Sequence, residues 1–380
     1  MAEAFYQDFK LGVLGGGQLG RMLVQSAIDF NIDVAIMDGD PNAPCSRLTS
    51  DFVHGSLTDF EAVYNFGKEC DLVTIEIENV NTAALKKLES EGIKVFPQPH
   101  IIELIKDKVD QKKFYAENGI PTSEFIEVHS AKEAKGHVDF LPFVNKLATE
   151  GYDGRGVQIV RSESDLNKCF DRHGLIEKLI DFETEISVMV ARNENGNVMS
   201  YPAVELMFHP EQNLVEYLFA PASISENLEI KAQNLAKEVI EKLQMVGLLA
   251  VEMFVTKDDD ILVNEVAPRT HNSGHQTIEA NITSQFEQHL RSILGMPLGA
   301  TDLISPAAMI NLLGEDGFTG PAKYQGLEQI LSNSDIHVHL YGKKTTKPFR
   351  KMGHVTVLDK DKDKLKSKAE FVKSTLKIVS

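Results

Sequence analysis

Over its first hundred residues the chain alternates short apolar runs with helix-period segments, and this alternation constrains the fold more than any other feature. Leu11–Leu14 is an apolar run, Gly15-Gly16-Gly17-Gln18-Leu19-Gly20 is a tight turn, and a helical pattern follows to about Phe30. Val34–Met37 reads as a second buried strand, and a helix near Asp59–Lys68 leads to a strand over Leu72–Ile77. Asn81 can cap a helix that ends near Gly92, and Ile93–Phe96 is a further strand. Strands separated by helices need crossovers, and crossovers build a parallel sheet with helices on its faces. Pro97-Gln98-Pro99 then punctuates the chain. The expectation is an α/β, βαβ-type domain over residues 1–100.

The rest of the chain has another texture. At roughly 150 residues per domain, 380 residues suggest two or three domains. Two helical stretches follow the prolines, and Gly119-Ile120-Pro121 stops the second. The segments are shorter from about Phe125 to Val190, with a glycine cluster at 151–156. Around Ile230–Met245, Leu235, Val239 and Leu243 share one helical face with Ile240 beside them, and the strand Leu248–Val255 follows. The tail from about 301 to 380 alternates short apolar runs with Gly and Lys. It is expected to form a small β-rich domain after a central α+β region over 101–300.

Charge excludes several classes of function. Lys and Arg number 39 against 56 Asp and Glu, a formal net charge of −17. That balance opposes general affinity for nucleic acid or anionic membrane, so an anionic ligand needs a local basic site. No apolar stretch approaches the roughly 20 residues that span a bilayer. The N-terminus MAEAFYQDFK lacks the cationic flank and apolar core of a signal peptide. Cys45, Cys70 and Cys169 are odd in number and widely spaced, which suggests buried thiols rather than a disulfide framework or zinc site. The expected compartment is the cytoplasm.

Gly15-x-Gly17-x-x-Gly20 follows a strand and opens a helix, and Asp38 closes the second strand. Dinucleotide sites use this context: glycines for the turn, a helix N-terminus for phosphate, an acid for ribose. The same turn serves other anion sites, or simply packs a helix closely. A dehydrogenase, another anion site and plain packing all remain open on this motif.

A sharper signal lies downstream. Ala250–Thr256 and Ile261–Ala267 read as strands joined by Lys257-Asp258-Asp259-Asp260. A regular hairpin pairing Thr256 with Ile261 would set Glu252 directly opposite Glu265, with Cβ atoms roughly 4.5–5.5 Å apart. Like charges so placed repel, and Ala250, Phe254, Val263 and Ala267 on that face offer no compensation. A hard divalent cation would, and magnesium with a substrate phosphate favours one or two carboxylates. An exposed edge face, or neutralisation by Arg269, is the alternative. Upstream, the strands Phe143–Ala148 and Val157–Val160 flank Glu150-Gly151-Tyr152-Asp153-Gly154-Arg155-Gly156. Three glycines let backbone N–H groups approach phosphate and let the loop move as a lid. Lys146 in the first strand could reach the same phosphates. The apolar strand Leu175–Ile180, followed by Glu185, suits an adenine edge and ribose hydroxyls. An ordinary hairpin turn and a solvated edge lysine are the plainer readings.

Taken in order, Lys108, Lys146, Gly151–Gly156, Glu177–Ile180, Glu185, Glu252 and Glu265 resemble the ATP-grasp fold. Within it, GGGQLGRM (Gly15–Met22), GYDGRG (Gly151–Gly156), NEVAPRTHNSGH (Asn264–His275) and RKMGH (Arg350–His354) resemble the N5-carboxyaminoimidazole ribonucleotide synthetases. The similarity spans nearly the whole chain. It implies a Rossmann-like βαβ domain, a central ATP-grasp region with a mobile lid at about 125–190, and a small C-terminal domain.

The resemblance also implies ATP-dependent carboxylation of 5-aminoimidazole ribonucleotide by bicarbonate in purine biosynthesis, with Mg2+ (or Mn2+) and without biotin. By analogy, Lys108, Lys146, Gly151, Tyr152, Asp153, Gly154, Arg155, Gly156, Glu177, Lys178, Leu179, Ile180, Glu185, Asn264 and Glu265 bind ATP. Glu252 and Glu265 hold the metal. Arg269, Asp153 and Arg155 are the catalytic residues. Gln18, Leu19, Glu76, His271, Asn272, Ser273, Lys343, Arg350 and Lys351 bind the ribonucleotide, and a homodimer is expected. Bicarbonate is a poor electrophile, and phosphorylation to carboxyphosphate supplies a leaving group. The charge that builds on the transferring oxygens calls for cations, and a closed lid keeps water from the intermediate. The chain departs from the family pattern at Glu150, where a glycine is usual, at Lys347 and Phe349, where Arg and Gly are, and across Glu205–His209.

Overall fold

The computed structural model describes residues 9–149, 156–208 and 214–380. The N-terminal alternation folds as a five-stranded parallel sheet in the order Phe52–His54, Asp33–Asp38, Lys10–Leu14, Leu72–Ile75, Lys94–Val95. Helices Gln18–Asp29, Phe60–Gly67 and Thr82–Ser90 separate the strands. Asp59 and Asn81 cap two of them, accepting from the Ala62 and Ala84 N–H groups at 2.8 and 2.9 Å. Sequence reading missed Phe52–His54, a short edge strand with two of its three residues exposed, which leaves no alternating pattern to detect.

The central region is antiparallel. A nine-stranded sheet runs Ile261–Ala267, Gly247–Thr256, Phe182–Arg192, Val204–Phe208, Val215–Ala220, Ala307–Leu313, Lys351–Leu358, Ile336–Leu340, with Val198–Ser200 paired to Phe182–Arg192. Strands from the C-terminal tail therefore continue the central sheet, Tyr217 lying opposite Ile310. Helix Glu226–Leu243 buries Leu235, Val239, Ile240 and Leu243, the face its periodicity marks, against Ile186, Val188, Val190, Leu249 and Val251. Each such side chain contributes about 1.5–3 kcal/mol on burial. A separate four-stranded antiparallel sheet, in the order Phe125–Val128, Gly174–Lys178, Phe143–Leu147, Val157–Val160, occupies the segment expected to act as a lid and is called the lid sheet below. Cys45, Cys70 and Cys169 are buried free thiols, and burial pushes Cys70 up to about 12. Among the described residues no helix is long and apolar enough to cross a membrane.

Helix Gln285–Ile293 ties the two main sheets together. Phe286, Leu290 and Ile293 share a core with Leu19, Leu23 and Val24, and His289 Nε2 meets Thr74 Oγ1 at 2.9 Å. Burial lowers the His289 pKa from 6.5 to about 4, so the folded chain keeps it neutral where the unfolded chain takes up a proton. Its contribution is complete above 6.5 and is lost as pH falls toward 4. The loss amounts to roughly 3 kcal/mol. In His289→Gln, whose amide can still reach Thr74, stability measured by denaturant titration should fall less between pH 7 and 4.5 than in the parent. Parallel curves would show that another group carries the acid sensitivity.

Candidate active site

The glycine turn is filled by the chain's own carboxylates. Gly16 N–H donates to Asp38 Oδ2 at 2.6 Å, while Gly17 and Leu19 N–H groups donate to Glu76 at 2.7 and 3.3 Å. Gly15 adopts φ +110°, and a Cβ on Gly17 would lie 2.4 Å from Glu76 Oε1. Burial raises the Glu76 pKa against the pull of the Gly17 N–H. A pyrophosphate would need those N–H groups, and Asp38 is engaged with Gly16 and Asp40 rather than open to a ribose. The dinucleotide alternative fails on this geometry.

The hairpin does pair Glu252 with Glu265, by a route the regular register does not supply. Val255, not Thr256, sits opposite Ile261, so the turn runs from Thr256 to Asp260 with Asp259 at φ +62°. A β-bulge then absorbs Asn264 as an extra residue between the Met253–Val263 and Glu252–Glu265 pairs. Without it Glu252 would oppose Asn264, and Glu265 would point to the other face. With it, Asn264 and Glu265 both reach the cleft. Asn264 Oδ1 accepts from Lys146 Nζ at 3.0 Å and its amide donates to Glu185 at 3.5 Å, while Glu265 pairs with Lys108. Arg269 pairs instead with Glu78 at 2.9 Å, so it does not neutralise the carboxylate pair.

Electrostatics sort the acids. The Lys108 ammonium, outweighing burial, holds Glu265 at about 2, although its side chain is 40% exposed and solvent screens part of that field. Burial, then the Glu265 and Glu185 charges, push Glu252 well above the usual carboxylate range. Burial and Glu265 raise Glu185 to about 7. Three acids facing one cleft, two of them resisting ionisation, form an all-oxygen donor set that suits a hard divalent cation. Glu252, Glu265 and the Asn264 carbonyl therefore fit magnesium.

Behind this face lies a buried triad. Glu177 ion-pairs with Lys146 through one oxygen and with Lys112 at 2.9 Å through the other. Lys112 also donates to Thr122 Oγ1 and Ser123 Oγ at 2.6 and 3.0 Å. Sequence reading missed Lys112, although it lies one helical turn beyond Lys108. The expected adenine strand is not open throughout: Lys178 and Leu179 N–H groups donate to the Glu124 and Pro142 carbonyls at 2.9 and 3.2 Å.

On the opposite side, burial, then Arg269 and Lys351, lower His271 to about 3, and its Nδ1 lies 2.9 Å from Ser273 Oγ. Ser273 Oγ meets Ser187 Oγ at 2.8 Å. Arg269 Nε and both amide atoms of Asn272 are buried without hydrogen-bond partners among the described residues, polar atoms that a bound ligand could satisfy. Lys343 Nζ donates to the Lys351 carbonyl at 2.7 Å. Arg350 donates to Thr345 O at 2.7 Å, and the Lys351 charge is felt at Glu252 and His271. Gln18 begins the helix after the glycine turn, half-buried beside Leu19. Gly151, Tyr152, Asp153, Gly154 and Arg155 lie outside the described residues, as do Glu150 and His209; Gly156 is described, at φ +74°.

Comparison with known proteins matches the chain in three parts. A ribonucleotide synthetase preATP-grasp domain matches residues 9–106, an ATP-grasp domain 113–286, and a phosphoribosylaminoimidazole carboxylase C-terminal domain 307–368. The Bacillus subtilis N5-carboxyaminoimidazole ribonucleotide synthase is 34% identical over 95% of this chain and 94% of its own. The chain belongs to the N5-carboxyaminoimidazole ribonucleotide synthase family. The synthetase structure from Thermotoga maritima superimposes with TM-score 0.90 at 41% identity, covering 98% of this chain and 99% of that one. An Aspergillus clavatus synthase in complex with ADP and 5-aminoimidazole ribonucleotide gives TM-score 0.88 at 36% identity, over 96% and 98%. The chain spans only 69, 65 and 63% of the length of the phosphoribosylaminoimidazole carboxylases of Ogataea methanolica, Candida glabrata and Saccharomyces cerevisiae.

Members of this synthase family are ATP-grasp ligases, and the filled glycine turn accords with a chain that binds no dinucleotide there. Phe349, where the sequence resemblance leads to an expectation of glycine, holds φ +61°. That left-handed region favours a residue without a Cβ, which gives the expectation a steric reason.

Proposed function

We propose that the chain carboxylates 5-aminoimidazole ribonucleotide with bicarbonate at the expense of ATP, giving N5-carboxyaminoimidazole ribonucleotide, ADP and phosphate. The observation that carries this reading is the convergence in one cleft of Glu185, Glu252, Glu265, Lys108 and Lys146 with Arg269, His271 and Asn272, whose amide has no partner among the described residues.

ATP lies between the lid sheet and the nine-stranded sheet, with adenine against Glu177–Ile180 and its ribose on Glu185. Lys108 and Lys146, already directed by Glu265 and Glu177, neutralise the phosphates. Glu252 and Glu265 would hold Mg2+, or Mn2+ on the same donors, and the bound ion would supply charge neutralisation to the transferring phosphoryl group. A bicarbonate oxygen attacks the γ-phosphorus and ADP leaves. The ribonucleotide amine then attacks the carboxyl carbon of carboxyphosphate, phosphate leaves, and the nitrogen gives up a proton. The substrate's own amine takes the carboxyl group, so biotin has no part.

The planar donor fork of Arg269 suits the anionic intermediate. Neutral His271 adds a hydrogen-bonding group without further charge. Asp153 and Arg155 are proposed to act with them, and exclusion of water would protect the intermediate. Gln18, Leu19, Glu76, Ser273, Lys343, Arg350 and Lys351 form the ribonucleotide side. We further propose a cytoplasmic homodimer.

The test is ADP release with magnesium-ATP and bicarbonate, with and without 5-aminoimidazole ribonucleotide, followed by labelled bicarbonate. Strong stimulation with label in the nucleotide supports the reading; ATP hydrolysis indifferent to the nucleotide would point to another ATP-grasp ligase. Arg350→Ala should raise the KM for the ribonucleotide about tenfold, the worth of one charge-assisted hydrogen bond to phosphate, with kcat little changed. An unaltered KM would assign the 5′-phosphate to Lys343 and Lys351 alone.

A further inference from the structure

The lid sheet carries a second cluster of ligating side chains, tied through Lys113 to the helix Lys108–Glu117. Strands Phe125–Val128 and Gly174–Lys178 pair antiparallel, with Glu127 opposite Leu175 and Val128 opposite Gly174. One more step of that register sets His129 opposite His173, and their rings stack with centroids 4.9 Å apart and 12° between planes. Glu127 lies two residues before His129 and so shares its face. Its Oε1 is 2.8 Å from His173 Nε2. One ligand atom from each of the three residues lies within 4.8 Å of the others, and both imidazoles are exposed to solvent.

We propose that Glu127, His129 and His173 bind a borderline transition-metal ion, Zn2+ or the chemically similar Co2+ and Ni2+, at a site distinct from Glu252 and Glu265. Two imidazoles and one carboxylate are a donor set for these ions, with the remaining positions left to water. Magnesium, which demands oxygen ligands and keeps its waters, is excluded by the same donors. The antiparallel pairing supplies the preorganisation, since the two backbones that carry the ligands are already hydrogen-bonded together.

One cation opposes binding. Lys113 Nζ lies 2.7 Å from Glu127 Oε2, so its ammonium now takes the carboxylate an ion would need. Lys113 belongs to the helix Lys108–Glu117 that also carries Lys108 and Lys112. Filling the site transfers Glu127 from Lys113 to the metal and undoes one tie between the lid sheet and that helix.

The experiment titrates the full chain with Co2+, read by its visible absorption, and with Zn2+ against a chromophoric chelator. Excess Mg2+ is present throughout, to occupy the Glu252–Glu265 pair. One equivalent should bind. His129→Ala and His173→Ala should each weaken binding at least about tenfold, and circular dichroism should show them folded. Lys113→Met should tighten binding by removing the competing cation, and Glu265→Gln should leave it unchanged. Equal affinity in the two histidine variants, loss of binding in Glu265→Gln, or no tightening in Lys113→Met would each overturn the proposal. The site does not depend on the assigned reaction, so failure of the ligase assay and failure of this titration are separate results.

Discussion

Glu177→Gln should lower the stability of the folded chain by about 3–5 kcal/mol, the cost of breaking a buried ion pair by removing one partner. Glu177 is 3% exposed and holds two ammonium groups, Lys112 and Lys146, which are themselves 3% and 8% exposed. Burial alone would raise its pKa; the Lys146 and Lys112 charges outweigh burial and hold it at about 2. Removing that charge leaves two buried cations facing each other, with Thr122, Ser123 and Asn264 as their neutral partners among the described residues. A folded pKa below the unfolded one means stability complete above the usual carboxylate pKa and lost as pH falls through about 2. That acid-dependent part should be absent from the variant. Denaturant titration at pH 7 measures the first effect. A KM for ATP raised with little change in kcat would report the loosening of Lys146. A stability loss below about 1 kcal/mol would mean that the two lysines reach water through the cleft.

Glu265→Gln should do the opposite: turnover falls by about 100-fold or more, with the denaturation midpoint nearly unchanged. Glu265 sits in the same cleft, but its side chain is 40% exposed, and its partner Lys108 is left with access to solvent when the charge goes. A partly exposed, solvent-screened pair of that kind contributes little to folding, about 1 kcal/mol. Its proposed role is to hold the cation across from Glu252, which an amide does poorly. The two glutamates therefore separate stability from catalysis within one site. Steady-state ADP release against magnesium concentration measures the effect, and near-normal turnover would remove Glu265 from the metal-binding pair.

Much of the molecule was legible along the chain because its signals are local. Leu11–Leu14 and Val34–Met37 are strands because buried parallel strands need continuous apolar runs. Leu235, Val239 and Leu243 lie on one buried stripe because 3.6 residues make a turn. Lys146 could be set on a strand beside the glycine loop from the two apolar runs that flank it, and it pairs there with Val157. The motifs around Asn264–His275 carried the family resemblance, and with it the chemistry.

The Glu252–Glu265 pair marks the limit. Alternation and turn length led to the right partners on the assumption of a regular hairpin, whereas the structure reaches them through a longer turn and a bulge at Asn264. A bulge is set by the competing demands of the strands and side chains around it, and a count along two strands contains none of these. Lys112 was one helical turn from Lys108, yet its partner Glu177 lies on the strand Gly174–Lys178, so nothing nearby in sequence marked it as part of the site.

The sequence by itself determined the parallel N-terminal sheet, the helix faces and the family, and it supplied the order of the residues proposed here to face phosphate, ribose and metal. Tertiary structure alone decided that Asp38 and Glu76 fill the glycine turn, that Asn264 bulges, and that Glu177 anchors two lysines. The physical reason is range. Apolar periodicity repeats every two or 3.6 residues and is written locally, whereas a carboxylate chooses its partner among every cation and N–H group the fold brings within about 3 Å.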